Sequence, residues 1–432
     1  MNKFISEYNS KKITIKETLD LVQSNDLIWT SFNGLEPEAF LRELHTIKDR
    51  VENVSVRHAG LWRNYDFLSL SEMRGHFFAI SSFYDSFARD AHDHKLSSYM
   101  PLHLHNGCER TLEDRHINLF VGMASPMDEH GYVRFALCVL NEMDAVHKAD
   151  KIVMLINPNL PTVAGNNQVH IRDIDYVVEV DDPAITIGGS TPTDVEMKIG
   201  SYVGSLVDDG STIQLGIGNI PNAIGKYLTD KNDLGVHTEM ITSIIAHLAE
   251  ERVITGKRKT IDRCKIVGNF ALGSQELYDY MDDNPEIALL SGSYTNDPRI
   301  IAMNDNMVSI NTCLQVDVTG QVCSESIGHR QYSGTGGASD FAVGASSSRG
   351  GKSIVAVRST AKKGTISTIL PRLSEGAVVS ISRNDIDYIV TEYGIAKMKG
   401  QSIAQRVENL IAVAHPNFRD EIREGVNRCK IW

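Results

Sequence analysis

Thr212-Ile-Gln-Leu-Gly-Ile-Gly-Asn-Ile-Pro-Asn222 decides how the chain is read. A short run of strand character enters a Gly-x-Gly turn. Pro221 then suits the first turn of a helix, where its missing N–H would have had no intrahelical partner. Strand, glycine turn and helix in succession make the repeating unit of an α/β protein. Just upstream, Asp194 is placed to cap a helix reaching about Val207.

The same alternation extends outward from this stretch. Leu27-Ile-Trp-Thr-Ser-Phe32 precedes a helical pattern over 36–44, and the apolar run Ile152-Val-Met-Leu-Ile156 stops at Asn157-Pro158-Asn159. Further strands are expected over 265–270, 353–357, 378–381 and 388–391, with a closing amphipathic helix over 403–414. The fold class is therefore α/β with mainly parallel sheets. With 432 residues, 42% of them hydrophobic, the chain is too long for one core. After Val177-Val-Glu-Val180 it passes through Asp181-Asp182-Pro183 into the polar stretch Gly188-Gly-Ser-Thr-Pro192, which sets the expected domains at 1–185 and 186–432.

Lys and Arg number 43 against 55 Asp and Glu, a net charge of −12, so neither nucleic acid nor an anionic membrane is expected as the main partner. Local basic pockets stay open. The six cysteines (108, 138, 264, 313, 323 and 429) form no CxxC pair, which fits a reducing cytosol rather than a disulfide framework or zinc knuckle. No run approaches the ~18 apolar residues that span a bilayer, and residues 1–20 lack the apolar centre of a signal peptide. The expectation is a soluble cytoplasmic protein.

Several segments could carry chemistry. The Gly216–Asn219 turn lacks the third glycine of a dinucleotide fingerprint, because Pro221 stands there, and lacks the Lys-Ser/Thr of a P-loop. It reads equally as a ligand-facing turn or a plain tight turn. Ser333-Gly-Thr-Gly-Gly-Ala-Ser-Asp340 and Gly344-Ala-Ser-Ser-Ser-Arg-Gly-Gly-Lys352 are the densest Gly/Ser tracts, either backbone brought close to a carbonyl or phosphate, or surface loops. In Gly235-Val-His-Thr-Glu-Met240, Glu239 stands where a loop turns into an apolar helix. Burial would raise its pKa and a helix N-terminus would lower it, so the direction is open. An ordinary capping glutamate is the plain alternative. Glu325 and Glu392, each shortly before a glycine, compete with it.

His103 and His105 would share a strand face, with His92, His94 and His116 elsewhere, but nothing beyond Asp93 completes a ligand set and no metal is expected. There is no Gly-x-Ser-x-Gly elbow, and Cys323 reads as a buried structural thiol.

Five segments taken in order resemble one family: Ser125-Pro-Met-Asp-Glu-His-Gly-Tyr132, Gln214–Ala223, Gly235–Met240, Ser324-Glu-Ser-Ile-Gly-His-Arg-Gln-Tyr-Ser-Gly-Thr-Gly-Gly337 and Thr391-Glu-Tyr-Gly-Ile-Ala396. It is the acetyl-CoA hydrolase/transferase family, nearest its 4-hydroxybutyrate and butyryl-CoA:acetate CoA-transferase branch, and the likeness runs from about residue 30 to Ala414-His-Pro-Asn-Phe418. The resemblance implies two CoA-transferase-type α/β domains facing across a cleft, in a homodimer or higher homo-oligomer. It implies CoA as a substrate rather than a tightly bound cofactor. It selects Glu239 as nucleophile; in the rival Glu325 segment the spacing to Gly328 is one residue too long. Gln214, Gly216, Gly218, Asn219, Gly336 and Gly337 would form the oxyanion and acyl site, and Gly344, Ala345, Arg349, Gly350 and Lys352 would meet CoA. The implied reaction moves CoA between a short-chain acyl-CoA and a carboxylate such as acetate through a glutamyl-CoA thioester. A hydrolase, or a silent CoA-binding protein, is the alternative.

Overall fold

The computed structural model describes residues 3–189 and 191–432; Ser190, inside the expected boundary stretch, lies outside the described residues. The chain divides into two compact units, Met1–Gly188 with Gly268–Tyr294, and Gly189–Val267 with Thr295–Trp432. This differs from a single break at 185/186, because Gly268–Tyr294 is built into the first unit. Backbone pairs fix it there: Val139 N–H donates to Asn269 O at 2.7 Å, Ala271 N–H to Leu137 O at 2.9 Å, and Leu289 N–H to Ala164 O at 2.9 Å. Pairings of such long sequence separation leave no compositional mark at the break.

In the first unit a seven-stranded sheet runs in the order Ser97–Tyr99, Phe77–Ser81, Val54–His58, Leu27–Thr30, Ile117–Ala124, Ala149–Ile156, Tyr176–Glu179. Every pairing in it is parallel, as the continuous apolar runs require of strands covered on both faces. His103 and His105 do not share a strand. His103 immediately precedes a 3-10 turn, Leu104–Asn106, and His105 lies within it, with their rings 5.5 Å apart.

The strands of the second unit follow the order Ile266–Gly268, Gly235–His237, Thr212–Leu215, Met307–Thr312, Lys352–Ala356, Tyr388–Thr391, Gly394–Lys397. All pair in parallel except the last two. From Thr212–Leu215 the chain first builds outward on one side and then crosses to build on the other, so the order reverses between that strand and Met307–Thr312. Connections leaving the two strand ends diverge there and open a crevice, the usual ligand position in an open parallel sheet.

Three local readings are corrected. The Asp194–Leu206 helix is capped one residue earlier, by Thr193, which forms a reciprocal capping box with Glu196. Residues 378–381 form no strand: only Ile381 bridges to Val322, and Val378 and Val379 are each 44% exposed. Their apolar character reflects surface residues rather than sheet. The tract at 344–352 is not one loop but a helix end, a four-residue turn and a strand start. Gly344 and Ala345 belong to the helix Ala338–Ser347, and Lys352 opens the strand Lys352–Ala356. A Cβ at Gly344 would lie 2.5 Å from Ile301, so this glycine serves helix-to-helix packing against Pro298–Ala302.

Candidate active site

The site begins at the end of the strand Gly235–His237. A Cβ at Gly235 would fall 2.3 Å from Lys259 Cγ, so the glycine lets Lys259 lie against this strand. Lys259 is buried and its ammonium donates to Val236 O at 2.8 Å and Lys265 O at 3.0 Å. Burial pushes its pKa down to about 8, with Asp262 opposing. His237 is also buried; desolvation, helped by the Lys259 charge, pushes it down to about 3 and keeps the ring neutral. His237 Nε2 lies 2.9 Å from Thr295 O, which ties the strand end to the Thr295–Asn296 turn.

That tie brings Asn296 beside Glu239, with Asn296 Nδ2 donating to Glu239 Oε2 at 3.4 Å. Glu239 does not cap the following helix, which starts only at Ser243. Its carboxyl instead accepts from the Gly337 N–H, at the start of the ten-residue helix Ala338–Ser347. The helix N-terminus that favours its anion thus belongs to a distant segment of sequence. Glu239 keeps partial contact with solvent, yet protein surrounds the carboxyl closely. Desolvation dominates and pushes its pKa up to about 7; the Asn296 and Gly337 hydrogen bonds pull it down, and the Asp340 charge pushes it further up. Gly337 is required sterically, since a Cβ there would lie 2.0 Å from Glu239 Oε2 and 2.3 Å from Asn296 Nδ2. Gly336, before it, takes the left-handed φ of 54° that turns the backbone toward the carboxyl.

The competing carboxylates are occupied. Buried Glu325 accepts from Ser380 Oγ and Thr335 Oγ1, both at 2.8 Å, and from Gln331 Nε2 at 3.2 Å. Glu392 accepts from Ser359 N–H at 3.0 Å and Ser359 Oγ at 2.6 Å. Each holds loops together.

One strand over from Glu239, Gln214 accepts from Ile310 N–H at 3.1 Å and reaches Asn311 Oδ1 at 3.4 Å, so it bridges two strands at the crevice. Gly216 and Gly218 face open space, and Gly218 adopts a φ of 112°. Asn219 bonds the Glu196 carboxylate. The residues expected to meet CoA have partners of their own. Arg349 pairs with Asp305, Lys352 Nζ sits 2.7 Å from both Asp208 Oδ2 and Leu206 O, and a Cβ at Gly350 would strike Asn306. Those cations already have acidic partners, and Gly344 and Ala345 lie in the packed helix. The sequence reading missed Asn296 and Asp340. The Asn296-Asp297-Pro298 turn signal marks the first, since Pro298 opens a helix that Asp297 caps.

Models of the acetyl-CoA hydrolase/transferase N-terminal and C-terminal domains match residues 1–187 and 273–426. The chain belongs to this acetyl-CoA hydrolase/transferase family. Within it, a succinyl-CoA:cyclohexane-1-carboxylate CoA transferase of Geobacter metallireducens is 40% identical over 98% of this chain and 96% of its own length. A 4-hydroxybutyrate coenzyme A transferase of Clostridium kluyveri is 37% identical over 96% of this chain and 97% of its own. The crystal structure of RipA from Yersinia pestis superposes with a TM-score of 0.94 at 33% identity, covering 100% of both chains. As an acetyl-CoA hydrolase/transferase family member, the chain shares its α/β architecture with that structure along its full length.

Proposed function

We propose that this chain is a CoA-transferase that moves CoA between a short-chain acyl-CoA and a free carboxylate, with Glu239 as the nucleophile. The observation that carries this reading is the Glu239 carboxyl itself, raised to about 7 by desolvation yet held by the Asn296 amide and the Gly337 N–H. Near neutral pH it is substantially ionised and more basic than a solvated carboxylate, hence a better nucleophile. The names of the two relatives above, both CoA transferases, support the reaction class.

Glu239 attacks the acyl carbonyl of the acyl-CoA. The tetrahedral oxyanion collapses, CoA leaves as thiolate, and a mixed acyl-glutamyl anhydride remains. The thiolate then attacks the glutamyl carbonyl, the original acid departs as its carboxylate, and the glutamyl-CoA thioester forms. An incoming carboxylate reverses the two steps. When the glutamyl carbonyl is attacked, its oxygen becomes the oxyanion. Asn296 Nδ2–H and Gly337 N–H, already directed at this carboxyl, become its donors; such a donor lowers the barrier by about 3 kcal/mol. No net charge is created and the acyl energy is retained. Water competes at each acyl stage, so transfer requires that bound substrate exclude it. On this family reading CoA is a substrate, the enzyme acts in the cytoplasm, and its assembly is a homo-oligomer.

The test incubates butyryl-CoA, 4-hydroxybutyryl-CoA, succinyl-CoA or propionyl-CoA with labelled acetate and follows label into acetyl-CoA. Transfer should depend on the acceptor and vanish in Glu239→Ala. Loss of acyl-CoA at the same rate without any acceptor would replace the transferase with a hydrolase.

A further inference from the structure

The Gly337 N–H reaches Glu239 from a segment that has little stiffness of its own. Ser333-Gly-Thr-Gly-Gly337 holds three glycines in five residues, and glycine backbone is the least restricted of all. Sterics impose this at Gly337, where a Cβ would lie 2.0 Å from Glu239 Oε2, and Gly336 uses its freedom for a φ of 54°. A hydrogen-bond donor to a developing oxyanion works only if it is held within about 0.5 Å of its productive position. The glycines that allow the close approach therefore require an anchor outside the segment.

The bonds lead to Glu325. Thr335 is the single residue between Gly334 and Gly336, and its hydroxyl donates to Glu325 Oε1 at 2.8 Å. Two residues earlier the main chain is gripped as well: Tyr332 N–H and Ser333 N–H both donate to Glu325 O, at 2.7 and 3.0 Å. Gln331 Nε2 donates to Glu325 Oε2 at 3.2 Å and to Ser333 O at 2.8 Å, which adds a third hold. After Thr335 the chain passes directly into the helix Ala338–Ser347, where Ala338 N–H donates to Thr335 O at 3.2 Å and Phe341 N–H to Gly337 O at 2.9 Å.

The anchor is itself fixed. Glu325 is buried just after the strand Val322–Cys323, which pairs with Gln315–Asp317. Buried Ser380 ties strand and carboxyl together: its N–H donates to Val322 O at 2.8 Å, its hydroxyl donates to Glu325 Oε1 at 2.8 Å, and the same oxygen accepts from Ser324 N–H at 3.0 Å.

We propose that Glu325 is a positioning residue for the reaction at Glu239: through Thr335 it fixes the glycine turn that directs the Gly337 N–H at the nucleophile. The proposal rests on the nucleophile reading and gives the second buried glutamate of this unit a part in the same reaction, without contact to substrate.

The variant that isolates this link is Thr335→Val, which has the shape of threonine, lacks the donor, and leaves the Glu325 carboxyl with Ser380 and Gln331. Steady-state kinetics should find kcat down at least about tenfold with KM for acyl-CoA within about threefold, part of the 100- to 1,000-fold cost of losing one oxyanion donor outright. The Gly337 N–H favours the Glu239 anion, alongside Asn296 and against the Asp340 charge. The acidic limb of kcat/KM should therefore also move to higher pH. Thr335→Ser, which keeps the hydroxyl, and Glu325→Gln, whose amide oxygen still accepts it, should each stay within about tenfold of wild type with the limb in place. A Thr335→Val enzyme with wild-type kcat, or one that loses kcat while the limb stays where it was, would overturn the proposal. A second readout needs no turnover: the pH range over which melting of the Glu239 protein and its Glu239→Gln variant diverges should extend to higher pH when both carry Thr335→Val, and an unchanged range would count equally against it. Failure of the nucleophile reading shows separately, as exchange that survives Glu239→Ala while this melting range still shifts.

Discussion

Replacing Glu239 by Gln should stabilise the protein, by an amount that depends on pH. Burial raises this carboxyl from its ordinary 4.5 to about 7. Between those values the folded chain holds a proton that the unfolded chain has released, so stability falls as pH rises through this window and is flat above it. At ~1.4 kcal/mol per pH unit the full effect is about 3.5 kcal/mol, and partial solvent access reduces it to about 2–3 kcal/mol. Gln cannot ionise and escapes this cost. Wild type and Glu239→Gln should therefore melt within a degree or so of one another near pH ~4.5, and separate by roughly 2–4 °C near pH ~8, with Gln the more stable. Calorimetric melting at several pH values checks this, alongside the exchange assay, in which Glu239→Gln should be inactive. Superimposable melting profiles across the range would mean that the carboxyl is not desolvated, and the account of its nucleophilicity would fail.

The pH profile of kcat/KM should show an acidic limb near the Glu239 value of about 7, rising toward alkaline pH as the carboxylate forms. Asn296→Ala removes a hydrogen bond that favours the anion, so steady-state kinetics should find kcat down about 100-fold and that limb moved to higher pH. Gly337→Ala places a Cβ 2.0 Å from Glu239 Oε2; exchange should fall at least ~100-fold while circular dichroism shows the fold retained. Glu325→Gln should keep exchange activity within about tenfold but lose roughly 1–2 kcal/mol in denaturant unfolding, because the Ser380 and Thr335 hydroxyls that donate to it lose an ionic acceptor.

Local signals carried much of the architecture. The Thr212–Asn222 pattern forms the strand and helix it suggests, with Gly218 in the positive-φ conformation that explains its glycine. What stayed hidden depends on contacts distant in sequence. No window around Glu239 discloses that its carboxyl meets Asn296 and Gly337, 57 and 98 residues further on. The helix supplying the favourable dipole is therefore not the one next to it in sequence. Glycine density at 344–352 is ambiguous for a related reason. Gly344 is small because Ile301 packs on it, and a packing requirement gives the same composition as a ligand loop. Val378 and Val379 show the converse, β-branched residues left on the surface because the segment's one β-bridge is at Ile381.

The most direct test of the central claim is rapid quenching of the enzyme during turnover with acyl-CoA, borohydride reduction, and peptide mapping by mass spectrometry. A single reduced glutamyl thioester should appear in the Gly235–Met240 segment, at Glu239, and be absent when CoA alone is supplied. A reduced adduct at Glu325, or an enzyme that turns over at full rate with Glu239 never modified, would contradict the account.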